Sequence, residues 1–178
     1  MKRTLLRFEN IQQLVGAETL SVILLTDELR MRGLTVVCDQ QMAAQLQMRI
    51  DNPKNCRHLL PEVLVSQLSA KYEMMVCGVY DGQYQVVLMD EIGNTSRIRM
   101  SDAVLLNLIS HIPLYIEENL MQRQCFPFDE KTQTQLAIPI NTMDVKHLKS
   151  ALEKAVDDEN YELASHLRDE IKRRNEGD

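Results

Sequence analysis

Side chains that commonly do chemistry are spread thinly along this chain. It has no G-x-S-x-G elbow to present an acylating serine, no glycine-rich P-loop to cradle a triphosphate, and no H-E-x-x-H pair to hold a hydrolytic zinc. The four histidines, His58, His111, His147 and His166, are too far apart in sequence to suggest a local zinc site. The four cysteines, Cys38, Cys56, Cys77 and Cys125, include no C-x-x-C pair, and three lie beside or within apolar runs. They read as reduced, mostly buried thiols of a cytoplasmic protein rather than a disulfide framework.

Composition narrows the classes further. The 178 residues are 44% hydrophobic and 26% charged, so one globular core and a fraction more are expected. Lys+Arg 20 against Asp+Glu 26 leaves a net charge of −6, which argues against a broad basic face for nucleic acid. Residues 1–140 and 141–178 each carry −3, so the short C-terminal part is the more densely charged. With Tyr 5, Phe 3 and Trp 0, stacking platforms for single strands are not evident. The N-terminus has no signal-like apolar stretch, and no run approaches the ~20 apolar residues of a membrane helix.

The elements follow from periodicity. Leu5 to Ile11, Thr19 to Thr26 and Leu34 to Cys38 read as strands, the last two an antiparallel unit joined by Asp27 to Gly33. Met42, Ala43, Leu46 and Ile50 mark one face of a helix from Gln40 to Ile50, ended by Asp51-Asn52-Pro53. A second helix from Leu59 to Ala70 places Leu60, Val63, Leu64 and Leu68 on one side, with Pro61 tolerated in its first turn. Glu73–Tyr80 and Gln83–Asp90, separated by Asp81-Gly82, predict a hairpin with a type I′ turn. Thr95–Met100 completes a meander, and Ser101 is placed to cap a helix through His111 whose Val104, Leu105, Leu108 and Ile109 face the sheet. Leu114–Ile116 is a short strand, followed by a short helix or turn over Glu117–Arg123.

Residues 126–142 read as a linker or ordered arm, and Asp144 to Arg174 as a helical hairpin. Its apolar sets, Leu148, Ala151, Leu152, Ala155 and Tyr161, Ala164, Leu167, Ile171, form a narrow stripe that must find a partner face in this chain or another. The fold class expected is α+β, with mixed or antiparallel sheets, packed helices and an added helical hairpin. The domains expected are residues 1–125, the arm, and the hairpin at 143–178.

Two stretches carry resemblances. Leu34–Ile50, Arg57–Ala70, the hairpin at Asp81-Gly82, Arg97-Ile98-Arg99-Met100-Ser101-Asp102-Ala103 and Ile112-Pro113-Leu114-Tyr115-Ile116-Glu117-Glu118 together resemble the bifunctional nuclease domain family over about residues 4–125. That family's pattern is a strand ending in Arg-x-Ser-Asp-Ala, an apolar helix, then a Pro-Ile-Tyr-Val-like strand followed by acidic residues. The resemblance implies hydrolysis of DNA or RNA phosphodiesters, a homo-oligomer, and Mg²⁺ or Mn²⁺ if the chain cleaves. Such chemistry needs a group that activates water and cations that offset phosphate charge. Asp102 and Arg99 are the catalytic candidates, with Arg57 and Arg97 as substrate-binding candidates; the metal ligands stay unassigned. Each residue also has a plainer role. A carboxylate is favourable at a helix N-terminus in any protein, and Arg97 and Arg99 alternate with Ile98 and Met100 as in any half-exposed strand.

The chain departs from the family at two places. The Arg-Pro-x-Thr-His-Asp-like entry to the second helix reads Arg57-His58-Leu59-Leu60-Pro61-Glu62, so that Glu62 with His58 nearby is the only stand-in for a His-carboxylate pair. Cys38 and Gln41 stand where a Gly and a Glu are usual. The C-terminal segment, Leu152-Glu153-Lys154-Ala155 then Glu159 through Ile171, is similar to the UVR motif, the helical hairpin of the B and C subunits of the excision-repair nuclease. That resemblance implies a protein contact carried by residues 144–174, with Tyr161, Glu162, Leu167 and Arg168 as partner-binding candidates. A non-catalytic adaptor, dimerised through the mixed domain and docked through the hairpin, is the alternative to a nuclease.

Overall fold

The run Leu20 to Leu25 has no polar alternation apart from Ser21, and such a strand is stable only if both its faces are covered. In the computed structural model, which describes residues 2–13, 20–129, 145–157, 159 and 161–175, all eight residues of β2 (Leu20–Asp27) are buried. The strand lies inside an eight-stranded sheet made from β1 (Arg3–Gln13), β2, β3 (Arg32–Asp39), β4 (Tyr72–Tyr80), β5 (Gln83–Asp90), β6 (Thr95–Arg99), β7 (Leu114–Glu117) and β8 (Phe126–Pro127). The spatial order is β6-β5-β4-β7-β1-β2-β3-β8, and β4–β7 is its one parallel pair. The α+β class is as expected. Asp81 at φ 45 and Gly82 at φ 72 form the I′ turn of β4 and β5, whose pairing runs from Tyr80↔Gln83 to Tyr72↔Asp90.

The helices are α1 (Gln40–Asp51), α2 (Leu60–Ser66), α3 (Met100–Ser110), α4 (Glu118–Gln124), α5 (Val145–Asp157) and α6 (Tyr161–Asn175), with a 3-10 turn at Pro53–Cys56. One face of the sheet, called here the front, carries Leu6, Ile23, Leu25, Leu34, Val36, Met74, Val76, Val86, Leu114 and Ile116 against Met42 and Leu46 of α1 and Met100, Ala103 and Val104 of α3. Truncating one such side chain to alanine typically costs about 2–5 kcal/mol.

Three local expectations are corrected. The buried face of α1 is Met42, Leu46 and Arg49, while Ile50 is exposed, because Arg49 finds a carboxylate that compensates its burial. Helix α2 ends at Ser66 and has no buried residue; Leu60, Val63, Leu64 and Leu68 all face outward. Ser101 is not the cap of α3. Strand β6 runs directly into the helix, so Arg99 takes the cap position without a side-chain bond and Ser101 lies within the first turn. The cap that does form is Asp39, whose Oδ1 accepts from the Met42 backbone N–H at 2.7 Å and starts α1.

On the opposite face, the back, directly paired residues share a side, so Val22↔Val37 and Leu24↔Thr35 form a covered strip on β2 and β3. Val37 packs against a second cluster made by α5 and α6, in which Leu148 and Leu167 are 0% exposed and Ala155 and Ala164 are buried. Seven of the eight residues expected in the hairpin stripe join this cluster; Tyr161 is exposed instead. The expected arm at residues 126–142 is partly an edge strand. Phe126 and Pro127 pair with Gly33 and Arg32, and the Phe126 ring lies so close to Gly33 that a Cβ there would stand 2.5 Å from its Cζ. The rest of that arm, from residue 130, falls outside the described residues, as do Thr19 and Asp144.

Candidate functional site

The end of β6 and the first turn of α3 bring Arg99 and Asp102 together. Arg99 Nε donates to Asp102 Oδ2 at 2.7 Å and Nη2 to Oδ1 at 3.0 Å, a bidentate pair. That bond, followed by the charge of the same carboxylate and, more weakly, of Asp39, raises the pKa of Arg99. The pair is open to solvent, with side-chain exposures of 70% and 38%. Arg97, two residues back on the edge strand, is exposed and opposite Val87, just as Arg99 is opposite Gln85. Arg57 is exposed at the end of the 3-10 turn, and among the described residues no hydrogen bond or ion pair joins it to this group.

Glu62, expected from the resemblance to stand in for a carboxylate, has another occupation. Arg49 Nε and Nη2 donate to its two oxygens at 2.6 and 3.0 Å, and Arg49 Nη1 also reaches the Gln45 carbonyl and Oε1. With 3% and 14% of the two side chains exposed, this pair fastens α2 to α1. His58 is exposed. Among the described residues no three His, Cys, Asp or Glu side chains come together as a metal site, and Asp39 and Asp102 are engaged in a cap and an ion pair. The donor set at the α3 entry does not fit a resident Mg²⁺ or Mn²⁺. Two of the four thiols, Cys38 and Cys56, are buried, Cys77 is exposed and Cys125 is intermediate. Burial, with Asp39 next to it, pushes Cys38 up to about 12, so it is not a nucleophile at neutral pH.

A second polar group was not legible as a unit. Arg32 donates from Nε to Asp27 at 2.9 Å and from Nη1 to Glu118 at 2.8 Å, while the Thr4 hydroxyl donates to the other Glu118 oxygen. Four chain segments meet there. Burial pushes the Asp27 carboxyl up, but the bond from Arg32 and those from the backbone N–H groups of Met31 and Arg32 outweigh it and leave it below its ordinary value. Bonds from Thr4 and then Arg32 hold Glu118 down, and Glu118 and then Asp27 hold Arg32 in its charged form. Nearby, Arg3 Nη1 donates to both Glu73 oxygens at 2.9 and 3.0 Å while the guanidinium stacks 3.9 Å from the Tyr115 ring. These sets tie strands and α4 together.

In the hairpin, Leu167 is fully buried, so the surface it offers is carried by Tyr161, 69% exposed, and by Arg168, which bonds its neighbour Asp169 at 2.9 Å. The Glu162 side chain lies outside the described residues. A family model described as the UvrB/uvrC motif matches residues 145–175. The chain carries a UVR hairpin, an interaction module, at its C-terminal end. No curated protein matches the chain. Among the described residues no helix is long and apolar enough to cross a membrane.

Proposed function

We propose that the chain is a protein of the bifunctional nuclease type that hydrolyses DNA or RNA phosphodiester bonds at the β6–α3 junction and engages a protein partner through its UVR hairpin. The observation that carries this reading is the solvent-open Arg99–Asp102 pair on an edge strand that also presents Arg97. An exposed pair of this kind is worth about 0.2–1 kcal/mol. A phosphodiester that takes the Arg99 fork therefore displaces Asp102 at little cost and leaves its carboxylate free beside the phosphorus. Asp102 then removes a proton from the attacking water. The new P–O bond forms, the bond to the leaving sugar oxygen breaks, and that oxygen takes a proton from solvent. Arg99 offsets the charge that builds on the phosphoryl oxygens, while Arg97 and Arg57 hold neighbouring phosphates. Supporting this reading, α3 touches α1, α2 and β3, so these segments that resemble the family lie together.

The test is cleavage of a labelled single strand in Mg²⁺, Mn²⁺ or EDTA, with Asp102→Ala beside the wild type. Equal trace cleavage by both would reject the reading.

A second reading is favoured by a specific observation: Asp102 and Glu62 both already hold an arginine. In that case the mixed domain is a dimerising scaffold and the hairpin is the working part. Full-length protein would then recover a partner that a 1–140 truncation does not, and equal recovery by the two would exclude the hairpin.

A further inference from the structure

A helix laid on a core turns its apolar stripe inward, and α2 does the reverse. Leu60, Val63 and Leu64, spaced three and four residues apart and so on one helical side, are 69%, 42% and 57% exposed. Leu68 extends the stripe at 45%, its backbone N–H bonded to the Val65 carbonyl just past the helix end. Between residues 59 and 70 the one charged side chain is Glu62, and Arg49 of the same chain holds it. The polar side chains at the helix end are engaged locally: Ser66 Oγ donates to the Val63 carbonyl at 2.7 Å, and Gln67 Nε2 to Ser66 Oγ at 3.4 Å.

We infer that the outer face of α2 is where a second copy of this chain docks, stripe against stripe about a two-fold axis. This rests on the reading of the mixed domain as a dimerising scaffold and gives that scaffold its surface.

Charge points to a copy rather than to another kind of partner. A two-fold interface sets a patch against itself, so any free charge on it would meet its like. The α2 stripe is aliphatic, and the one charge on its helix is already paired inside the chain. A different protein is usually told apart by charge or by hydrogen bonds, which this face does not present, and a phosphate backbone would find no cation on it. Area agrees. Aliphatic side chains about half open expose on the order of 60–100 Å² each, so two stripes face to face bury about 500–800 Å² of apolar surface. That is the apolar share of an interface of about 1,200 Å², at the lower end of specific association. The dimer expected is therefore a dissociable one, half-formed at micromolar concentrations.

Sedimentation velocity of the full-length protein tests this by mass action. Between about 1 and 200 µM the weight-average mass should climb from that of one chain, 20.6 kDa, towards twice that value. Leu64→Lys and Leu64→Glu should each weaken association at least ten-fold, because each sets like charges across the axis, and an equal mixture of the two should associate better than either alone. Leu64→Ser, which adds no charge, should act in the same direction. Ile92→Lys, at an 81% exposed residue of the β5–β6 turn, should associate as the wild type does. All variants should unfold thermally at the wild-type temperature when dilute, since the substituted side chains are exposed. A wild type that stays at one chain throughout would overturn the inference, as would association indifferent to the Leu64 substitutions, a mixture no better than its components, or equal loss in Ile92→Lys. A dimer that forms but ignores Leu64 would leave the scaffold reading standing and remove only its placement on α2.

Discussion

Two arginine–carboxylate forks in this molecule have nearly the same geometry and opposite consequences. Arg49–Glu62 and Arg99–Asp102 are both bidentate, with shortest distances of 2.6 and 2.7 Å. The first has 3% and 14% of its side chains exposed, the second 70% and 38%. Burial makes the first a fastening: neither ion can be stripped of its partner without leaving a charge in a poor solvent. Exposure makes the second exchangeable, because water and any incoming anion can replace the partner. Glu62 is therefore held in a structural pair, whereas Asp102 keeps an exchangeable one.

The largest effect should come from breaking the buried fork. Arg49→Met, which leaves Glu62 unpaired, should cost about 3–5 kcal/mol, read as a lowered denaturation midpoint, and Arg49→Met with Glu62→Leu should recover much of that loss. Next is the edge, where Gly33→Ala pushes a methyl into the Phe126 ring. It should cost about 1–3 kcal/mol and selectively deprotect Phe126 and Phe128 amides in hydrogen exchange.

Acid should have a smaller, graded effect through Asp27 and Glu118. Both carboxyls titrate below their ordinary values in the folded chain, so their contribution is complete above about pH 4–4.5. It is lost as pH falls through the depressed folded values. Asp27→Asn should flatten that part of a stability–pH curve and leave the neutral and alkaline parts unchanged in shape. The smallest change belongs to the exposed fork: Asp102→Ala should shift stability by no more than about 1 kcal/mol. A drop as large as that of Arg49→Met would erase the contrast between the two pairs.

Much of this fold is visible in residue spacing. The Asp81-Gly82 turn, the β4–β5–β6 meander and the hairpin stripe all depend on local periods and turn chemistry that single segments display. What spacing could not show is which charges pair across the chain. Arg49 lies three residues beyond Leu46, on the same helical face, but only Glu62, 13 positions later, explains its burial. The outward turn of Leu60 and Leu64 follows from that same fastening, since Glu62 faces α1 and directs its neighbours away. Arg32 draws on Asp27, Thr4 and Glu118, and that set exists only once β1, β3 and α4 are assembled. At the candidate site, Arg99 and Asp102 were legible because they are three residues apart, whereas the relation of Arg57 to them depended on the fold, and among the described residues no bond connects them.

The most direct measurement is cleavage of a labelled single-stranded substrate by wild-type protein and Asp102→Ala, both shown folded by matching thermal unfolding. The wild type should cleave and the variant should not, with stability little changed. Cleavage that persists undiminished in Asp102→Ala, or none by a folded wild type in Mg²⁺, Mn²⁺ or EDTA, would contradict that expectation.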